Sequence, residues 1–187
     1  MTKSIILSVS PKEALNVLNG KQSALLRKRV PKGYVGWCYG VVSKKGIDYM
    51  RFPITFAKQY GGKIPFRFWH EEVETYYLER PLNLEITYRG IDNQQGCEYS
   101  KDIKKELLKK TNLTFSELFD LGHKRSDGQQ SVFNLISITK LDIFDKPMEL
   151  EQFRNIGTST FQGKKLNHVW KEVTKSPSTY QYVWVKE

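Results

Sequence analysis

Cations gather near the start of this chain, where Lys21, Arg27, Lys28, Arg29 and Lys32 follow one another closely. Side chains of this kind hold phosphates, Arg as a planar fork and Lys as a point charge. A second group, His70, Glu71, Glu72 and Glu74, sets an imidazole beside three carboxylates. On RNA the two chemistries could combine. The 2′-hydroxyl can attack its own phosphate without a metal when a base takes its proton and a cation stabilises the developing charge. His70, Glu72 and Glu74 are the candidate catalytic groups for such a cleavage. The plainer readings are an exposed acidic turn after a strand and, for the cations, a solvated charged edge.

The wider charge pattern favours a polyanionic partner. The chain carries 30 Lys+Arg against 20 Asp+Glu, a net charge of +10 and a pI near 9.5. The first 70 residues hold 13 basic and 2 acidic side chains, whereas the rest hold 17 and 18. Asymmetry of this kind speaks to partners rather than to fold. Aromatic residues are interleaved with the cations, among them Tyr34, Trp37, Tyr39, Phe66, Phe68 and Trp69. Rings can stack on unpaired bases while cations hold phosphates, although many of these rings must build the core.

Other classes are disfavoured. Cys38 and Cys97 are the only cysteines, and His70, His123 and His168 are scattered, so neither a disulfide framework nor a metal site is expected, and no cofactor. No apolar run approaches membrane-spanning length and the start lacks a signal-peptide pattern, so a cytoplasmic protein is expected. Its 187 residues suffice for one domain with insertions.

The elements that must position these groups read as follows. Residues 4–9 form an apolar strand. Ser10 and Pro11 then start a short helix that stops at Gly20 and delivers the chain into the cations. Residues 34–42 and 63–69 are strands, the second alternating Ile64, Phe66 and Phe68 with Lys63 and Arg67. Residues 43–62 read as a loop-bearing insertion, and 82–88 as a further strand. Residues 89–100 read as turns, 100–110 as a helix, and Thr114 with Glu117 as a capping box opening a short helix to residue 121. A Gly-containing loop at 122–130 follows. Residues 131–144 read as one long central strand, 147–153 as a short helix, 154–168 as a mobile polar stretch, and 180–185 as a closing strand.

Several blocks in this order resemble ASCH domains, the PUA-like β-barrels. Val17, Leu18, Gly20, Ser23 and Arg27 stand in register with the family's I-L-x-G-x-K-T-x-E-x-R opening. The segment GKIPFRFWHEEVETYY (62–77) resembles its G-K-V-V-x-E-F-x-x-x-x-V-E-x-Y strand, and TNLTFSELFDLG (111–122) its small helix. SITKLDIFDKPMELEQF (137–153) and SPSTYQYV (176–183) resemble the later blocks of phage-type members. The resemblance implies an α+β fold: a PUA-like barrel with flanking helices, one domain over 1–187, an insertion around 43–62 and a helical insertion around 100–122. The catalytic Lys, Thr and Glu of ASCH amidohydrolases fall on Gln22, Leu25 and Thr111, which cannot do that chemistry. The family's Trp and His of the later strand are Ile136 and Ser137.

What the resemblance implies for function is therefore RNA binding by Lys21, Gln22, Ser23, Arg27, Lys28, Arg29, Lys32 and Tyr180, with Lys21, Arg27, Arg29 and Lys32 on phosphates and Tyr180 on a base. The partner would be RNA or a ribonucleoprotein. The alternatives are a ribonuclease built on His70, Glu72 and Glu74, a phage-derived inhibitor of a host ribonucleoprotein of the anti-CRISPR kind, and, least favoured, an acylated-cytidine amidohydrolase.

Overall fold

Ser10 shows how the sequence writes its own boundaries. Its hydroxyl accepts the amide of Glu13 at 3.2 Å, and the Glu13 carboxylate accepts the amide of Ser10 at 2.9 Å. This reciprocal cap starts a helix with Pro11 at its first position, and Gly20, at φ +67°, ends the excursion in the left-handed region. The computed structural model describes residues 1–31, 33–44, 54–71, 73–78, 86–91, 101–114, 116–118, 131–161 and 164–185. Its elements run β1 (Thr2–Val9), α1 (Pro11–Leu18), β2 (Ala24–Arg27), β3 (Gly36–Val42), α2 (Ile54–Tyr60), β4 (Ile64–His70), β5 (Val73–Leu78) and β6 (Ile86–Ile91). They continue with α3 (Lys101–Thr111), β7 (Ser131–Ser137), β8 (Thr139–Met148), a 3₁₀ turn at Leu150–Gln152, β9 (Phe153–Phe161), β10 (Lys164–Glu172) and β11 (Tyr180–Val185).

The chain divides into two compact units. Unit 1 comprises Met1–Leu18, Gly36–Trp69 and Lys140–Glu187. It is built on a seven-stranded sheet in the order β10-β9-β11-β1-β3-β4-β8. The expected pairing of the last strand with the first is present, antiparallel, with Ser4 opposite Val183. β3 lies parallel to the other side of β1. Ile6, Tyr39, Val41, Ile64, Phe153, Val183 and Val185 form one core cluster. Ile64, Phe66 and Phe68 are fully buried. Each contributes about 1.5–3 kcal/mol relative to exposure. A Cβ on Gly40 would meet the Phe66 ring at 2.5 Å, so the packing of β3 on β4 requires glycine there.

Unit 2 comprises Asn19–Val35 and His70–Thr139, on a four-stranded antiparallel sheet in the order β2-β7-β5-β6. Its core gathers Ala24, Leu26, Tyr76, Phe133 and Leu135 of the sheet with Leu107 of α3 and Leu118, and Ile103 and Leu108 pack against it. The Thr114–Glu117 capping box is formed: the Glu117 amide donates to the Thr114 hydroxyl at 3.2 Å, and the Thr114 amide to the Glu117 carboxylate at 2.8 Å.

Several expectations change. The single strand over 131–144 is two strands in two different sheets, separated at Ile138. The Ile138 amide donates to the Ser23 carbonyl at 2.8 Å, and Lys140 takes φ +45°. Only β7 is central, whereas β8 is an edge strand with mostly exposed side chains. Residues 147–153 finish β8, make one 3₁₀ turn capped reciprocally by Glu149 and Gln152, and begin β9. Of the polar stretch 154–168, residues 154–161 lie in β9 and 164–168 in β10, paired from Lys164–Phe161 to Glu172–Arg154 around a bulge, while 162–163 lie outside the described residues. The 43–62 insertion contains α2, while residues 45–53 lie outside the described residues. Finally, the sheet of unit 1 runs from β10 to β8, and no ladder closing it into a barrel is present among the described residues. The turns expected over 89–100 begin inside β6, which runs on to Ile91; residues 92–100 and the loop expected at 122–130 lie outside the described residues.

Candidate nucleic-acid interface

The cationic run of unit 2 follows from how its edge strand is pinned. Among the described residues β2 pairs only with β7, with Ala24 opposite Ser137 and Arg27 opposite Asn134. Upstream, Ser23 donates its amide to the Lys110 carbonyl at 3.0 Å, satisfying an orphan carbonyl at the end of α3. The Ser23 carbonyl in turn accepts the Ile138 amide. Gln22 is buried: its Nε2 donates to the Ala24 carbonyl at 2.8 Å, while its Oε1 has no partner. Between these anchors Lys21 and Ser23 are exposed. Gln22 thus points into the protein while its neighbours face outward.

Downstream, a side chain from the adjoining strand fixes the backbone of the run. Asn134 donates its Nδ2 to the carbonyls of Arg27 and Lys28, at 3.4 and 3.2 Å. Its Oδ1 accepts from the Thr75 hydroxyl at 3.3 Å on β5. The Arg27 guanidinium donates to the Leu26 carbonyl at 2.8 Å, and the Lys28 ammonium lies 5.9 Å from the Phe133 ring centroid. Lys28 and Arg29 are exposed, and no acidic residue occurs over 19–35. Lys32 lies outside the described residues. The arrangement presents cations on a backbone already held in place, as a phosphate chain requires.

Beside the end of β7, Glu71, Glu74, Ser137 and Thr139 line a cavity of about 220 Å³. Glu74 accepts the Tyr76 hydroxyl at 2.6 Å and lies 3.8 Å from the Lys110 ammonium, which also pairs with Glu106 at 2.9 Å. The Glu106 carboxyl is held below its ordinary range by its hydrogen bond and charge contact with Lys110. The two carboxylates accept hydrogen bonds and repel phosphate, so the cavity suits donor groups rather than an anion.

The expected catalytic residues have different surroundings. His70 is 1 % exposed, its ring stacked 6.3 Å from Tyr34, and its Nδ1 has no partner. Burial lowers its pKa below the usual histidine range. Among the described residues it makes no hydrogen bond to Glu74, whose carboxylate is engaged by Tyr76 and Lys110. Glu72 lies outside the described residues. Thr111 is buried, its hydroxyl donating to the Leu107 carbonyl at 2.7 Å, and Leu25 is fully buried. Tyr180 opens β11 in unit 1. Sequence reasoning missed Asn134 and Lys110. A lone amide in the apolar run SVFNLIS was a usable signal for the first, whereas Lys110 is one lysine among several on α3.

Among the described residues, no group of three or more His, Cys, Asp or Glu is placed to hold a metal, and no helix is long and apolar enough to cross a membrane. No known family profile matches the sequence, and no curated protein does. Two crystal structures from Zymomonas mobilis show a similar chain course. One is of an ASCH protein, at 9% identity and a TM-score of 0.49, covering 80% of this chain and 75% of that one. The other is of a tyrosine-to-phenylalanine variant described as ZmASCH, at 10% identity and a TM-score of 0.49, covering 100% and 92%.

Proposed function

We propose that this protein binds RNA through the cationic run that ends β2, with Lys21, Arg27, Lys28 and Arg29 on phosphates. The observation that carries the reading is the bidentate hold of Asn134 on the Arg27 and Lys28 carbonyls. A mere solvated charge run needs no such support, whereas a phosphate-binding run gains from being fixed before the ligand arrives. The exposed Lys28 and Arg29, the net charge of +10 and the ASCH-like sequence blocks support the same reading. Burial of His70 and engagement of Glu74 by Tyr76 and Lys110 favour binding over cleavage.

The test is a structured RNA incubated with the purified protein, with and without EDTA, and run on native and denaturing gels. The expected result is a shifted, intact RNA, and loss of the shift in the double variant Lys28→Glu, Arg29→Glu. Defined shorter products would replace the binding reading with a ribonuclease. A shift unchanged in the double variant would place the interface elsewhere.

A further inference from the structure

We propose that unit 1 carries a base-stacking platform for single-stranded RNA on one face of β11, formed by Tyr180, Tyr182, Trp184 and Trp170. The inference rests on RNA being the ligand, and adds both the form of RNA and a second contact surface.

Alternate residues of a strand share a face, and β11 reads Tyr-Gln-Tyr-Val-Trp-Val. The inward positions Val183 and Val185 are buried, which leaves the three rings on the opposite face. The rings form two edge-on pairs: Tyr180 meets Tyr182 with centroids 6.1 Å apart, and Trp184 meets Trp170 at 5.2 Å. Trp170 is 46 % exposed on β10, the edge strand, directly opposite Ile156, which is also exposed. An exposed indole paired across the ladder with an exposed isoleucine, beside a second indole, makes an apolar aromatic patch, and such patches mark interaction sites.

The surrounding charge selects the occupant. The Lys3 ammonium lies 4.7 Å from the Tyr182 centroid, and Arg154 sits opposite Trp184 on β9, held by Glu172 at 2.8 Å. Unit 1 as a whole contains 16 basic and 8 acidic residues. Rings with adjacent cations on a basic unit match a polyanion with exposed π-faces, and a single strand offers both. Rings two residues apart on a strand are separated by about 6.5 Å, comparable to the step of an extended nucleotide chain. A duplex keeps its bases stacked and offers none of them to the rings.

The experiment titrates intrinsic tryptophan fluorescence with a short single-stranded oligouridylate and with a duplex RNA of equal length. The expected result is quenching by the single strand, about tenfold weaker single-strand binding in Trp170→Ala, Tyr180→Ala, and unchanged duplex binding in that variant. Trp170→Phe keeps a ring and should keep single-strand affinity. Lys28→Glu, Arg29→Glu should weaken both forms. Wild-type single-strand affinity in a Trp170→Ala, Tyr180→Ala protein with unaltered circular dichroism would overturn the platform and leave RNA binding standing. Loss of affinity in Trp170→Phe equal to that in the double variant would overturn stacking as its basis. Failure of the wild type to bind either RNA at low salt would overturn the RNA reading itself.

Discussion

Asn134 stands in a strand of Ser, Val, Phe, Leu and Ile, and its amide reaches two carbonyls of the neighbouring edge strand while its oxygen takes a hydroxyl from β5. Asn134→Leu keeps the volume and removes both ends of that link. The expected cost in stability is about 1 kcal/mol, read by thermal melting, with a several-fold loss of RNA affinity, read by filter binding. His70 makes a different prediction. Burial lowers its pKa in the folded state, so the unfolded chain binds the proton more readily. The contribution of the neutral imidazole is therefore fully present above the ordinary histidine pKa and is lost as pH falls below it. Stability should decline on going from about pH 7 to pH 5, with a slope of at most about 1.4 kcal/mol per pH unit from this one group. Urea titrations of the wild type and His70→Leu at several pH values check this; the variant should show a flatter profile, and a parallel one would assign the pH dependence elsewhere. The cations Arg27, Lys28 and Arg29 were legible as a cluster. That Asn134 is a tether depends on partners far along the chain, Arg27, Lys28 and Thr75, which no local pattern displays.

Among the elements, β3 depends most visibly on one residue. The Phe66 ring occupies the space a side chain at Gly40 would need, so Gly40→Ala must displace a fully buried aromatic or separate β3 from β4. A loss of about 1–3 kcal/mol in urea unfolding is expected, and a neutral result would mean β3 and β4 pack more loosely than described. The elements that could be read from sequence were those with a strong period or a chemical boundary: the Ser10–Glu13 cap, the Ile64–Phe66–Phe68 alternation, and the Leu107 face of α3. Residues 131–144 were misread because the β-branched run continues unbroken through the point where the chain leaves one sheet for another. Only the Ile138 bond to Ser23 and the positive φ of Lys140 mark the change. The β9–β10 pair was missed for the opposite reason. Its Thr, Ser, Asn and Lys residues carry no apolar period, and the ladder forms from pairing, not from burial pattern.

At the scale of the whole molecule, the charge asymmetry does not follow the basic run. Unit 1 holds 16 basic and 8 acidic residues, and unit 2 holds 14 and 12, although unit 2 contains the Lys21–Arg29 cluster. The cluster is therefore a local concentration in a nearly balanced unit, while the larger excess belongs to unit 1. If RNA is the ligand, both features act through phosphate neutralisation, and each contacted phosphate adds to the salt dependence. The most direct measurement is RNA affinity across a series of salt concentrations for the wild type and for Lys28→Glu, Arg29→Glu. The account predicts a steep fall in wild-type affinity with salt, and a variant with both weaker binding and a shallower slope, by roughly one per lost phosphate contact. Equal affinities and equal slopes in the two proteins would contradict it.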